Sequence, residues 1–277
     1  MAIDGSTRDH GELTKRWRDA NDHVRDLENT EASVAENAPT SDLPTELVAR
    51  AHELLALPIA QEAFKLLPTT IRMVELDRLV VYQKHINLTY VEQLKPLLGK
   101  PPTLEQIFDL ALPTLPRQPD VRVLQNGNVF SFVSPSNDLR VLEARLISPE
   151  VVAGYTSNGR PTHMIAVAVG FGPNFLNVIE AENRLILSNG SHRAYALRDA
   201  GVTHVPCLVR HVSRRDELEL TGIAELQQSP DRYLGSPRPP LLKDYFDPRL
   251  RMLVPVHRKN RMVRVQIGSD QTEVPAS

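Results

Sequence analysis

Five consecutive residues, Asn189 to Arg193, combine groups that can bind an anion. Asn189 and Gly190 suit a sharp change of chain direction, and a helix is predicted directly after them. The unpaired backbone N–H groups and the positive dipole end of such a helix attract an anion. Ser191 adds a hydroxyl, His192 an imidazole that can donate a hydrogen bond or shuttle a proton, and Arg193 a guanidinium that fits phosphate oxygens. The spacing alone leaves a second interpretation open, a helix cap followed by two solvated side chains.

A second group of polar side chains, SPSNDLR at 134–140, follows a predicted strand. If this segment lies beside the turn, Asp138 can bind Mg²⁺ or act as a base, and Arg140 can hold a second phosphate. The alternative is a capped turn in which Asp138 and Arg140 pair with each other at the surface. The histidines of the chain lack the spacing of a zinc site.

The elements that must position the Asn189–Arg193 turn can be predicted from residues 184–210. RLILS is a short apolar run of the kind that forms a buried strand. Ala194 and Leu197 then recur at helical spacing, and Gly201 is suited to end the helix. THVPCLV predicts another strand after a minimal loop. The segment is therefore predicted to be a strand–turn–helix–strand unit.

The rest of the chain predicts further helices, strands and two hairpins. VRVLQNGNVFSFV predicts a β-hairpin through Asn126-Gly127, because these residues reach positive φ at little cost. Near the C-terminus, MLVPVH and MVRVQI predict a second β-hairpin with its turn at Arg258–Asn260. The predicted domains are a helical N-terminal extension with a linker at 1–68, a central domain at 69–228, and a proline-rich segment with a basic hairpin tail at 229–277.

The stretch 249–264 contains six Lys or Arg side chains and no acidic side chain. Such a stretch can contact nucleic acid or an acidic partner. The alternative is a hairpin whose basic face is simply solvated. The exposed edge strand of this hairpin could pair with a second copy of the chain, so a homodimer is a further expectation.

Composition narrows the class of protein. The 277 residues, 41% of them hydrophobic, suffice for one large domain with a buried core. The net charge of −2 does not predict the broad basic surface of a nucleic-acid binder. The single cysteine, Cys207, excludes an internal disulfide framework and a cysteine-based metal cluster, and we expect it to be buried. Without a membrane-length apolar run or an apolar N-terminal signal, a cytoplasmic protein with no membrane contact is expected.

The stretch RLILSNGSHRAYALRDAGVTHVPCLV is similar to the signature of the ParB/sulfiredoxin-like superfamily. In that superfamily a strand leads into a G-x-H-R or G-x-R-R turn, then a helix rich in Ala and Leu, then a strand that begins near Val-Pro. VELDRLVVYQKHIN, at 74–87, resembles the opening box of the family more weakly. The resemblance implies a compact α/β domain of the α+β type with a mixed sheet, in which the turn at Asn189–Arg193 binds nucleotide phosphates.

Differences between this sequence and the family pattern reduce the number of reactions that the resemblance predicts. Sulfiredoxins place a catalytic cysteine where Ser191 stands, and the helix-turn-helix domain of partition proteins is not recognisable after residue 210. The resemblance thus predicts an elaborated member that binds ATP or CTP with Mg²⁺ and hydrolyses it or transfers its phosphoryl group to a small acceptor. His192 and Asp138 are the predicted catalytic residues. Two alternatives stay open, a non-catalytic DNA- or protein-binding module of the partition or regulator type, and a nuclease.

Overall fold

The computed structural model describes residues 9–114, 119–136, 138–152, 159 and 161–275. Within these ranges the fold mixes helices with several β-sheets, which confirms the predicted α+β class. The helices are α1 (His10–Thr30), α2 (Thr45–Ala56), α3 (Pro58–Phe64), α4 (Leu88–Leu94), α5 (Leu104–Ala111), α6 (Pro149–Val152), α7 (Ser191–Asp199), α8 (Ala224–Gln228) and α9 (Pro230–Leu234). The strands are β1 (Thr40–Ser41), β2 (Thr69–Glu75), β3 (Arg122–Asn126), β4 (Val129–Ser134), β5 (Leu139–Ile147), β6 (Met164–Phe171), β7 (Asn177–Ala181), β8 (Arg184–Asn189), β9 (His204–His211) and β10 (Arg261–Gln266). Short 3₁₀ helices span Leu76–Arg78, Lys95–Leu97, Arg215–Thr221 and Leu242–Phe246.

The chain divides into two compact units that alternate along the sequence. The larger unit comprises Ala2–Pro116 and Pro173–Pro255, and the smaller one comprises Arg117–Gly172 and Val256–Ser277. The predicted domains 1–68, 69–228 and 229–277 stay predictions.

The larger unit is built on a five-stranded sheet in the order β1-β2-β9-β7-β8. The pairs are antiparallel except for β7 and β9, which are parallel and are connected along the chain through β8 and α7. One face of the sheet packs against the helices, and the buried cluster on that side contains Leu187 of β8 together with the helix residues Leu47, Phe108 and Ala196. The opposite face carries Ile179 and Ile186. The sheet therefore supplies a fixed frame for the turn between β8 and α7.

Cys207 is fully buried in this sheet, as predicted. Burial raises the pKa of its thiol well above the ordinary value. The predicted N-terminal helix is present as α1, on which Trp17 is 67% exposed. The segment after α1, which was predicted as a linker, packs in part against the rest of the larger unit, because Ala35 is fully buried and the Asn37 N–H donates to the Asn183 carbonyl.

The smaller unit contains the predicted hairpin of β3 and β4, with Gly127 at φ +56° in its turn. The predicted C-terminal hairpin is wrong. β10 pairs instead with β4 in a sheet of order β10-β4-β3, and within the described residues no strand at 252–257 pairs with β10. Two physical causes favour this outcome. Pro255 has no N–H for a ladder, whereas the open edge of β4 offers Phe130 and Phe132 as cross-strand neighbours of β10.

In the described part of the chain, none of the helices combines the length and the apolar character that crossing a membrane requires.

Candidate functional site

The predicted strand–turn–helix–strand unit is confirmed as β8, α7 and β9. Leu185, Ile186 and Leu187 fix β8 because their side chains are buried on alternate faces of the sheet. α7 ends where Gly201 takes the left-handed conformation, with φ +84°. The turn is therefore held at both ends by packed elements.

Gly190 is the residue that permits the sharp turn. It lies in the left-handed region at φ +97°, immediately before α7. A Cβ atom at this position would approach the Leu176 Cα to 3.1 Å and the Leu176 Cβ to 3.2 Å. Both the conformation and the space therefore require glycine. The side-chain oxygen of Asn189 accepts a hydrogen bond from the Gly190 N–H at 2.8 Å.

The first turn of α7 leaves two backbone donors without acceptors. Within the described residues the Ser191 and His192 N–H groups donate to no protein atom, and the Gly190 cap has no side chain to accept from them. The positive end of the helix dipole lies at the same place. This is the arrangement that attracts an anion to a helix N-terminus.

His192 is held as a neutral imidazole. Its Nε2 accepts a hydrogen bond from the Asn87 N–H at 3.0 Å, so its proton lies on Nδ1. Burial, which has the largest effect, and the nearby charges of His85 and Arg193 together lower the pKa of His192 to about 4. The Tyr90 ring packs edge-on against the imidazole with a centroid separation of 5.5 Å. At neutral pH, His192 can thus donate one hydrogen bond through Nδ1.

Ser191 connects the turn to the segment before α4. Its hydroxyl donates to the Gln83 Oε1 at 2.8 Å, and the Gln83 side-chain amide donates to the His85 carbonyl at 3.2 Å. Residues 83–87, the end of the weaker sequence resemblance, therefore lie directly against the turn. Tyr90 was missed by sequence reasoning, since no local pattern sets it apart from other helix residues.

Arg193 points into the protein. It is 4% exposed, and its guanidinium donates to the Ala111 carbonyl at 2.9 Å, the Asn174 Oδ1 at 2.8 Å and the Asn174 carbonyl. These bonds connect α7 to the end of α5 and to the segment before β7. The contacts are those of a residue that positions α7, and the predicted role of Arg193 as a phosphate ligand stays a prediction.

Asp138 and Arg140 belong to the smaller unit. The Asp138 Oδ2 accepts from the Gly172 N–H at 3.1 Å, and the Asp138 Oδ1 lies 3.3 Å from the Arg140 Nη1. Their side chains are 38% and 52% exposed, so the surface pairing foreseen as the alternative is present. Their predicted place beside the turn stays a prediction, and Asn137 of the same segment lies outside the described residues.

Across the described ranges, no group of three or more His, Cys, Asp or Glu side chains is arranged to hold a metal ion. The side chains that contact the turn supply amide and hydroxyl oxygens and an imidazole, rather than the carboxylates that Mg²⁺ prefers. The turn therefore does not fit a resident magnesium site.

Comparison of the chain with protein families, with curated proteins and with solved structures gives no match.

Proposed function

We propose that this protein binds a nucleoside triphosphate, ATP or CTP, at the Asn189–Arg193 turn and hydrolyses it or transfers its phosphoryl group to a small acceptor. The observation that carries the proposal is the start of α7, where the Ser191 and His192 N–H groups have no acceptor in the described residues. A phosphate is an anion that such donors can bind at a helix N-terminus. The sequence resemblance to the ParB/sulfiredoxin-like superfamily supports the same assignment.

The contacts of the turn suggest a role for each residue. The backbone N–H groups of Ser191 and His192 hold a phosphate oxygen, and the His192 Nδ1–H donates to a second oxygen. A pKa of about 4 leaves His192 neutral at pH 7, which suits hydrogen-bond donation to a phosphoryl oxygen better than proton transfer to it. Asn87 and Tyr90 keep the imidazole in place. Mg²⁺ enters as part of the nucleotide substrate.

Isothermal titration calorimetry with ATP, CTP and GTP, with and without Mg²⁺, tests the proposal. Wild-type protein should bind at least one nucleotide, and His192→Ala should weaken that binding about tenfold or more through the lost hydrogen bond and the disturbed turn. His52→Ala, an exposed substitution on α2, is the matched control and should bind as the wild type does. If none of the three nucleotides binds under either condition, the proposal fails.

A DNA-binding module is the second candidate function, and one observation favours it. In the smaller unit the register places Arg122 of β3 and Arg264 of β10 on the same exposed face of the three-stranded sheet. Arg258 and Lys259 are also exposed, directly before β10. Replacing these four residues by Gln should abolish DNA binding and its salt dependence if this face is the interface. DNA binding that survives the replacement would eliminate this candidate, and no carboxylate cluster in the described residues supports the nuclease alternative.

A further inference from the structure

Arg210 on β9 differs from two other buried arginines of the larger unit, Arg184 and Arg238. It is 8% exposed, and within the described residues no carboxylate pairs with it. Arg184, which is 3% exposed, pairs with Glu36 at 3.1 Å. Arg238, which is 6% exposed, pairs with Asp244 at 2.7 Å. A buried cation without a counter-charge is costly, so a structure that keeps one calls for an explanation.

The contacts of Arg210 in the described structure are with neutral acceptors. Its Nη2 donates to the Ser188 Oγ at 2.6 Å and its Nη1 donates to the Thr221 carbonyl at 3.4 Å. Its Nε–H has no hydrogen-bond partner in the described residues. Burial accordingly lowers the pKa of the Arg210 guanidinium, although the group remains charged at neutral pH. One donor and a full positive charge are thus left uncompensated.

The hydrogen-bonded neighbours of Arg210 lie next to the turn and are less buried than Arg210 itself. Ser188 is the residue immediately before Asn189, and its carbonyl accepts from the Tyr82 hydroxyl at 2.8 Å. Ser188 and Tyr82 are half-buried, whereas Arg210 is buried. Because the Ser188 hydroxyl accepts from Arg210, its own hydrogen is available to an incoming acceptor. The register places Arg210 on the sheet face of Ile179 and Ile186, opposite the face covered by α7.

We infer that Arg210 and Ser188, with the half-buried Tyr82 beside Ser188, form a binding site for one anionic group, a phosphate or a carboxylate, on the sheet face opposite α7. The planar guanidinium can meet two oxygens of such a group, and the Ser188 hydroxyl can donate to one of them. The anion supplies the counter-charge that the protein does not. The inference goes beyond the proposed function and does not require a nucleotide.

Thermal unfolding in inorganic phosphate, compared with sodium chloride at equal ionic strength, tests the inference. Phosphate should raise the melting temperature of the wild type by about 2 °C or more at saturation. Arg210→Met should show a clearly smaller rise than the wild type, because only a phosphate bound elsewhere, such as at the Asn189–Arg193 turn, can still stabilise it. Arg184→Met, which removes a buried arginine that has its own carboxylate, is the matched control and should keep the full rise. A rise in Arg210→Met equal to that of the wild type overturns the site.

Acetate serves as the carboxylate probe in the same assay. A response to acetate alone identifies a carboxylate site, and a response to phosphate alone identifies a phosphate site. A wild type that responds to neither anion overturns the inference. If Arg210→Met does not fold, the ¹⁵N-labelled wild type remains decisive. Its Arg210 Nε–H resonance, assigned by its loss in Arg210→Lys, must shift on titration with the active anion, and an unmoved resonance rejects the site.

The nucleotide proposal and the anion site fail separately. A phosphate response that depends on Arg210, in a protein that binds no nucleotide, supports the anion site and removes only the nucleotide function. If the wild type and Arg210→Met bind a nucleotide equally well and no phosphate response depends on Arg210, the nucleotide function is supported and the anion site fails.

Discussion

The two units of the molecule are stabilised in different ways. The larger unit buries continuous apolar clusters on both faces of its sheet, including Leu54, Phe108 and Ile186, each fully buried. In the described part of the smaller unit, the buried apolar side chains are Leu139 and Val152, while apolar side chains such as Ile165 are strongly exposed. Packing therefore fixes the elements around the turn, whereas backbone pairing between strands fixes those of the smaller unit. A precisely positioned site is better supported by the first kind of structure.

The sharpest test of this difference is the same leucine truncation in each unit. Leu185→Ala in β8 should lower the free energy of unfolding by about 2–5 kcal/mol, because Leu185 is 1% exposed and its loss leaves a cavity. Leu124→Ala in β3, where the side chain is 51% exposed, should change it by about 0.5 kcal/mol or less. Urea denaturation followed by circular dichroism measures both values. Equal losses would show that the smaller unit also depends on a packed core.

Alanine substitutions at two glycines distinguish the cost of steric crowding from the cost of the left-handed backbone conformation. Gly190 and Gly127 both have positive φ, but a Cβ at Gly190 would meet Leu176 whereas a Cβ at Gly127 meets nothing within 4 Å. Gly190→Ala should therefore cost about 2–3 kcal/mol, from strain and crowding together. Gly127→Ala should cost about 1 kcal/mol from the left-handed conformation alone. Chemical denaturation measures the free energy of unfolding of both variants. Equal losses for Gly127→Ala and Gly190→Ala would refute the crowding argument.

The pH dependence of His192 tests the burial of the site itself. The folded pKa of about 4 lies below the unfolded value of about 6.5, so the unfolded chain takes up the proton first as pH falls. His192 therefore contributes stability that is fully present above pH 6.5 and is lost as pH falls through about 4, with a total of about 3 kcal/mol. His192→Gln keeps an acceptor for the Asn87 N–H but does not titrate. If the stability of this variant follows the same pH curve as the wild type, His192 is not buried in solution.

The β8–α7–β9 unit was predictable from sequence because its signals are local. The apolar run, Gly190 and Gly201 occur in order within one short segment, and each has a direct conformational meaning. The contact between His192 and Asn87 could not be predicted in the same way, because 105 positions separate the two residues. Arg193 shows a further limit. Its residue type suits an anion, but its direction is set by the Ala111 and Asn174 acceptors that only the tertiary fold brings near.

The predicted C-terminal hairpin shows why the pairing partner of a strand is harder to predict than the strand itself. The strand at β10 was predicted correctly, but its partner was not. Alternation of apolar side chains identifies a strand without identifying the edge that it joins. β10 pairs with the edge of β4, which lies far away in the sequence. Pro255 weakens the local alternative, a strand at 252–257, because proline has no N–H for the ladder.

The smallest expected difference in stability between the two units concerns one aspartate in each of them. In the larger unit the His23 Nε2 lies 2.7 Å from the Asp247 Oδ2, with side-chain exposures of 7% and 21%. Burial by itself would raise the pKa of Asp247, but hydrogen bonds from the Arg249 N–H and His23 outweigh it and lower the pKa to about 2. Asp247 thus stabilises the fold above its unfolded pKa of about 3.9, and this contribution is lost as pH falls through about 2.

Asp247→Asn should therefore cost about 1 kcal/mol at pH 7 and close to nothing at pH 2. Asp138→Asn in the smaller unit should cost about 0.5 kcal/mol or less at pH 7, because the pair of Asp138 and Arg140 is exposed. Urea denaturation of both variants at the two pH values measures the difference. A larger loss for Asp138→Asn would reverse the comparison, since it would place the stronger electrostatic contribution in the unit with the more open structure.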